Sequence, residues 1–215
     1  MSVAIETPPR GHGRQRRRLL AVLGAGLALA ACGPRVVTMQ ALDGFPAPLV
    51  DPLPLAVGVH FPAEFTSFTH KEKRPGPSGQ EWTINLGQPQ MQAFRSVFGS
   101  AFRTLHELPA PVAGDAALTA IVVPRVAEFQ FALPADTRAK VFEIWIKYDL
   151  EIRDGAGEPI GHWNFTAYGK TPTAALTSDE DAIRAATVVA LRDAGASLVT
   201  GLQRDPRIRS WLGVP

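Results

Sequence analysis

The clearest pattern in the chain runs over residues 141–153. Phe142, Ile144, Ile146, Tyr148, Leu150 and Ile152 alternate with Glu143, Lys147, Asp149, Glu151 and Arg153, and Trp145 is the one break on the polar side. Alternation of period two marks a strand with one buried and one wet face, as in an antiparallel sheet. Asp154-Gly155-Ala156-Gly157 follows as a tight turn, and residues 159–169, carrying Trp163, Phe165 and Ala167, return as a strand. Residues 117–131 form another strand, with Pro124 pointing to a bulge or an edge. Upstream, Leu55, Val57, Val59 and Phe61 alternate with Ala56, Gly58 and His60, so the folded domain is expected to begin at Leu55. Residues 62–81 read as a long loop or an irregular hairpin, with the basic run His70-Lys71-Glu72-Lys73-Arg74 leading into Pro75-Gly76-Pro77-Ser78-Gly79.

Two stretches carry the helical period instead. Met91, Phe94, Phe98, Ala101, Phe102, Leu105 and Leu108 recur at spacings of three and four, which predicts a helix from about Pro89 until Pro109 and Pro111 stop it. Its aromatic stripe is read as core packing. The second helix starts at a cap on Thr177 or Ser178. Asp179, Glu180 and Asp181 fill its first turn, where the helix dipole favours anions. Its stripe of Ile183, Ala186, Ala190, Ala194, Ser197 and Gly201 is small enough to let a sheet approach closely, and Pro206 marks its end. The resulting order, β-α-β-β-β-α, predicts an α+β fold: a two-layer sandwich with an antiparallel sheet and helices on one face.

Composition changes this picture mainly at the N-terminus. The chain has 215 residues, 46% hydrophobic and 20% charged, which suits one domain with a real core and excludes a disordered chain. The net charge of +2 is uneven: five Arg against one Glu give the first 31 residues +4 and leave −2 for the rest. The basic character therefore belongs to the N-terminus, and no nucleic-acid surface is indicated. Residues 10–18 are cationic, and residues 19–31 (LLAVLGAGLALAA) are apolar and uncharged. That run is too short to span a bilayer, which takes about 20 apolar residues. A cationic segment, a short apolar run and small residues in succession read as an export signal. Arg16-Arg17-Arg18-Leu19-Leu20 also resembles a twin-arginine signal, so general and folded export both stay open. Residues 33–54 hold five prolines (Pro34, Pro46, Pro48, Pro52 and Pro54) and are expected to be extended and poor in regular structure. They read as a tether, or in their second half as a loop packed on the domain through Phe45 and Leu49.

Leu29-Ala30-Ala31-Cys32, directly after the apolar run, resembles the lipobox of bacterial lipoproteins. The resemblance implies cleavage before Cys32, a thioether-linked lipid on its sulfur, and acylation of the new N-terminal amine. Several acyl chains anchor stably where one is marginal, each buried CH₂ contributing roughly 0.8 kcal/mol. The implied organisation is a signal peptide over 1–31, an acylated Cys32 with a Pro-rich tether over 32–54, and a periplasmic α+β domain over 55–215. In enterobacterial sorting, Asp after the Cys retains a lipoprotein in the inner membrane, so Gly33 implies the outer membrane. The element order is similar to that of the small envelope-assembly lipoproteins of Gram-negative bacteria, such as the lipopolysaccharide-assembly lipoprotein. There, too, an aromatic strand, an Asp-Gly turn, a return strand and a long last helix follow one another, here from Phe142 to Gln203. Auxiliary lipoproteins of lipid-transport systems share this outline. The 62–81 insert departs from both patterns, so only Cys32 takes a role from the resemblance.

The search for chemistry finds little that asks for catalysis. His60, His70, His106 and His162 are scattered, His106 on the first helix, and there is no H-E-x-x-H, no G-x-S-x-G and no phosphate-binding glycine loop. One Cys excludes an internal disulfide and a Cys-based zinc site. We therefore expect no enzyme, no cofactor and no metal. Asp149 and Glu151 alternate with Lys147 and Arg153, so cross-strand charge pairing accounts for them. The candidate contact residues are His70, Lys71, Lys73 and Arg74, a cationic loop beside Phe65, Phe68 and Trp82, together with Trp145. Such a loop suits an acidic protein or an anionic glycolipid headgroup, or is simply solvated. Trp145 either marks a contact surface or lies under the 62–81 loop. Two functions fit: a non-catalytic accessory component of an envelope complex, or a carrier of lipid or glycolipid, which would need an apolar cavity between sheet and helices.

Overall fold

The computed structural model describes residues 33–38, 45, 47–74, 79–112, 117–137, 139–173 and 178–213. Among the described residues, eight strands and four helices follow in the order β1 (Arg35–Thr38), β2 (Leu53–Val59), α1 (Ala63–Thr66), β3 (Thr69–Lys73), β4 (Glu81–Asn85), α2 (Gly87–Ala101), β5 (Phe102–Glu107), β6 (Ala120–Ala132), β7 (Val141–Asp154), β8 (Pro159–Pro172), α3 (Asp179–Arg204) and α4 (Pro206–Trp211). The larger sheet has the order β5-β2-β6-β7-β8 and the smaller one β1-β4-β3. The α+β class and the β6-β7-β8 meander stand as the sequence predicts.

The sheets are mixed rather than purely antiparallel. β2 runs parallel to both β5 and β6, and β1 runs parallel to β4. Parallel neighbours need a crossover connection, and the segment from α1 through α2 supplies it between β2 and β5. This also corrects the first helix. It ends at Ala101, because Phe102 is extended (φ −121°, ψ 145°) and opens β5. The spacing of four survives the change: Phe98 and Phe102 stay in one core, with ring centroids 6.2 Å apart. His106 therefore lies on a strand, not a helix.

The tether expectation is corrected as well. Residues 35–38 form β1, and Val37 is wholly buried. The 62–81 stretch resolves into α1 and the antiparallel β3–β4 pair, an irregular hairpin. Pro124 lies past the end of the β2 ladder, where β6 has a neighbour on one side only, the setting a strand proline requires. The bulge comes just after it, between Val126 and Glu128.

All six apolar alternates of β7 are buried, and they face α2, α3 and the small sheet across one continuous core. α3 is capped by Ser178, whose Oγ accepts from the Asp181 N–H at 3.1 Å; Thr177 lies outside the described residues. By length and composition this helix is apolar enough to cross a membrane, yet its small-residue face lies on the sheet. A methyl group placed on Gly169 would sit 2.0 Å from the Ala186 carbonyl oxygen, and one on Gly201 would sit 2.1 Å from the Trp163 ring. That closeness is what the alanine and glycine stripe provides. α4, which the sequence pattern had not marked, restarts at Asp205, whose carboxylate accepts from the Arg207 N–H at 2.9 Å.

Candidate functional site

Cys32 lies outside the described residues. The chain after it is Gly33 and Pro34, and Arg35 already belongs to β1.

The basic run does not form one patch. Strand alternation in β3 sends its members to opposite sides. Lys71 and Lys73 are exposed. His70 and Arg74 turn toward the large sheet. The His70 ring lies 4.8 Å from that of Phe129 and 5.9 Å from that of Phe131, and its Nε2 lies 3.1 Å from Glu72 Oε2. Arg74 donates from Nη2 to the Phe131 carbonyl at 2.6 Å, pairs with Asp136 at 2.9 Å and with Glu72 at 3.0 Å, and stacks its guanidinium 4.2 Å from the Phe131 ring. These two side chains fasten the hairpin to β6. Only Lys71 and Lys73 remain available to a partner.

Trp145 stays on the outer face of the large sheet, on the side away from the hairpin. It stands in a cross-strand row, Gln130–Trp145–Tyr168, with its ring 5.4 Å from the Tyr168 ring. The next row is Glu128–Lys147–Thr166, and the two rows enclose a shallow depression of about 220 Å³. The Tyr168 hydroxyl donates to Glu143 Oε1 at 2.6 Å. That bond comes first, followed by partial burial and the Glu143 charge, in pushing the Tyr168 pKa up to about 12. The sequence reading missed Tyr168, Glu143 and Glu128. The signal was available in the 154–157 turn, which fixes the β7–β8 register and so names the residue opposite Trp145.

Two other carboxylates on this face are satisfied locally. Glu151, almost buried, lies 2.5 Å from Arg153 and 3.5 Å from Arg125, and His162 lies 3.1 Å from Asp149. Among the described residues, no three of His, Cys, Asp and Glu converge to hold a metal ion. Two further grooves are present. One of about 450 Å³ runs between Phe45, Pro48 and the Gly195–Val199 face of α3. The other, of about 380 Å³, opens between Leu133, Phe142 and Ala182 at the start of α3.

Solved structures share the outline of this fold. Protein XCC0632 from Xanthomonas campestris, assigned to DUF330, is 15% identical and has a TM-score of 0.48, covering 80% of this chain and 97% of its own. A minor lipoprotein from Acinetobacter baumannii is 11% identical with a TM-score of 0.43, covering 70% of this chain and 92% of its own. No family model matches the sequence, and no curated protein matches it.

Proposed function

We propose that this chain is a lipoprotein held on the periplasmic side of the outer membrane by acyl chains on Cys32, where it serves as a non-catalytic accessory or assembly component of an envelope complex. The observation that carries this reading is Leu29-Ala30-Ala31-Cys32 at the end of an uncharged 13-residue run behind an arginine cluster. The likeness of outline to a lipoprotein agrees with it but, at a TM-score of 0.43, does not carry it. The contact surface is the outer sheet face around Trp145 and Tyr168. An aromatic pair flanked by both a carboxylate and a lysine, on a rigid sheet, has the composition of a contact hot spot. Lys71 and Lys73 add an exposed cationic edge.

Two measurements test this. Intact-mass analysis of the natively produced protein is expected to show a polypeptide beginning at Cys32 and carrying acyl chains; a free sulfhydryl or an intact leader sinks the reading. Crosslinking and pull-down of the anchored protein are then expected to recover an envelope protein in a manner that weakens with Trp145→Ala or with Lys71→Glu and Lys73→Glu. Capture unchanged by either substitution removes the contact assignment.

The second reading, a lipid or glycolipid carrier, is favoured by the 450 Å³ groove along α3, whose lining is mainly Phe45, Ala47, Pro48, Ala196 and Val199. Native mass spectrometry separates the two readings. Co-purified lipid supports the carrier, and clean protein the accessory role.

A further inference from the structure

We propose that the end of the fold at which β1 begins lies flat against the anionic headgroups of the bilayer that holds the anchor. This rests on acylation of Cys32, and it adds an orientation and a docking surface to that reading.

The first argument is reach. Three Cα steps separate Cys32 from Arg35, so the start of β1 stands at most about 11 Å from the lipidated residue. Arg35 is itself clamped. Its Nη1 lies 3.1 Å from Asp179 and 3.2 Å from Glu180, and its guanidinium stacks 5.3 Å from the Trp82 ring. The anchor therefore leads into a fixed point of the domain, not into a long tether.

The second argument is what the topology gathers at that point. Arg35 is level with Trp82 of β4, and Lys73 of β3 with Glu81, so the turn end of the β3–β4 hairpin sits beside the anchor. Arg74 joins that hairpin to Asp136, which lies between β6 and β7. Val141 pairs with Pro172, and the Thr173 N–H donates to the Lys140 carbonyl at 3.2 Å, so the start of β7 and the end of β8 share the same end. The start of α3 is there too, through Arg35.

The third argument is charge. The whole chain has five lysines: Lys71, Lys73, Lys140, Lys147 and Lys170. All but Lys147 lie at this end; all four are exposed and have no ion pair among the described residues. The acids there are engaged. Asp179 and Glu180 hold Arg35, Glu72 and Asp136 hold Arg74, and Glu143 accepts from Tyr168; Glu81 is the exception. At the far end, near the Asp154–Glu158 turn, there is no lysine; Arg95, Arg153 and Arg207 are each bound to a carboxylate, and Arg103 and Arg204 are exposed without an ion pair among the described residues. Unpaired lysines gathered beside a lipid attachment point are complementary to anionic headgroups.

The test needs no substitution. The natively acylated protein is reconstituted into vesicles of about three parts phosphatidylethanolamine to one of phosphatidylglycerol, after its intact mass has confirmed the acyl chains. It is then treated briefly with a water-soluble amine reagent, and each lysine is read by peptide mass spectrometry. Lys73, Lys140 and Lys170 are expected to react about fivefold more slowly than Lys147, and the difference is expected to shrink at about 0.5 M salt as the attraction is screened. An acylated protein whose three lysines react as fast as Lys147 overturns the orientation and leaves the anchor standing. An unacylated mass overturns both.

Discussion

Tyr148 and Tyr168 are the only two tyrosines of the chain, and they report on two different environments. Tyr148 is wholly buried. Its hydroxyl donates to Gln90 Oε1 at 3.2 Å, Gln90 in turn donates to the Phe65 carbonyl at 2.7 Å, and burial pushes its pKa up. Tyr168 is on the outer face and is raised first by its bond to Glu143. The neutral phenol is thus the form the fold favours. Tyr168 contributes stability fully below its ordinary pKa of about 10, and that contribution fades as pH rises from there to about 12. An absorbance titration resolves this without a ligand. In the native protein neither tyrosine is expected to ionise near pH 10. Glu143→Gln is expected to bring one phenol, and only one, down toward that value. If both stay high in the variant, the hydroxyl–carboxylate bond beside Trp145 is not what holds Tyr168.

At the scale of elements, the hairpin β3–β4 shows why residue type alone misled. His70 and Arg74 belong with Lys71 and Lys73 by composition but not by geometry. Arg74 is mostly buried at a junction of two strands and a loop, whereas Lys73 is exposed. Arg74→Ala is expected to cost about 2 kcal/mol, because it strips a partner from Asp136 and a donor from the Phe131 carbonyl. Lys71→Ala and Lys73→Ala are expected to stay within about 0.5 kcal/mol, as surface changes do. Equal denaturant midpoints for all three variants would show that the hairpin is not fastened by Arg74. The same contrast explains what was legible. The β7 alternation revealed every buried apolar residue of that strand, and the α3 stripe its contact face, because each pattern is local and periodic. The Ala101–Phe102 junction was not legible, since a strand leaving a helix directly kept the spacing of four. Nor was β1: the prolines on either side of it suggested a tether, and its partner β4 lies more than forty residues away. The Trp145–Tyr168 pair stood between these cases, being local in register but visible only once the turn is counted through.

At the scale of the whole molecule, a single core joins the small sheet to the large one. Val37, Trp82 and Ile84 from the small sheet share a cluster with Ile144 and Ala167 from the large sheet and Ala190 from α3. If that continuity sets the cooperativity, a wedge between α3 and β8 must loosen the small sheet as well, although it touches no residue there. Gly169 is the place to drive the wedge. A methyl group there would meet the Ala186 carbonyl oxygen at 2.0 Å and the Ala190 nitrogen at 2.4 Å, both helix backbone, so the helix itself must move. Overpacking of this kind costs about 1–3 kcal/mol or more. In native-state hydrogen exchange, Gly169→Ala is therefore expected to lower the protection of the Ile84 and Ile146 amides by the same free energy, since both would open only with the global transition. Protection lost at Ile146 but kept at Ile84 would mean that the small sheet, and with it the Arg35 clamp, folds as a separate unit. The end at which β1 begins would then be joined to the outer sheet face only by a hinge, whereas the shared core predicts that a pull on the start of β1 reaches Trp145 through one rigid body.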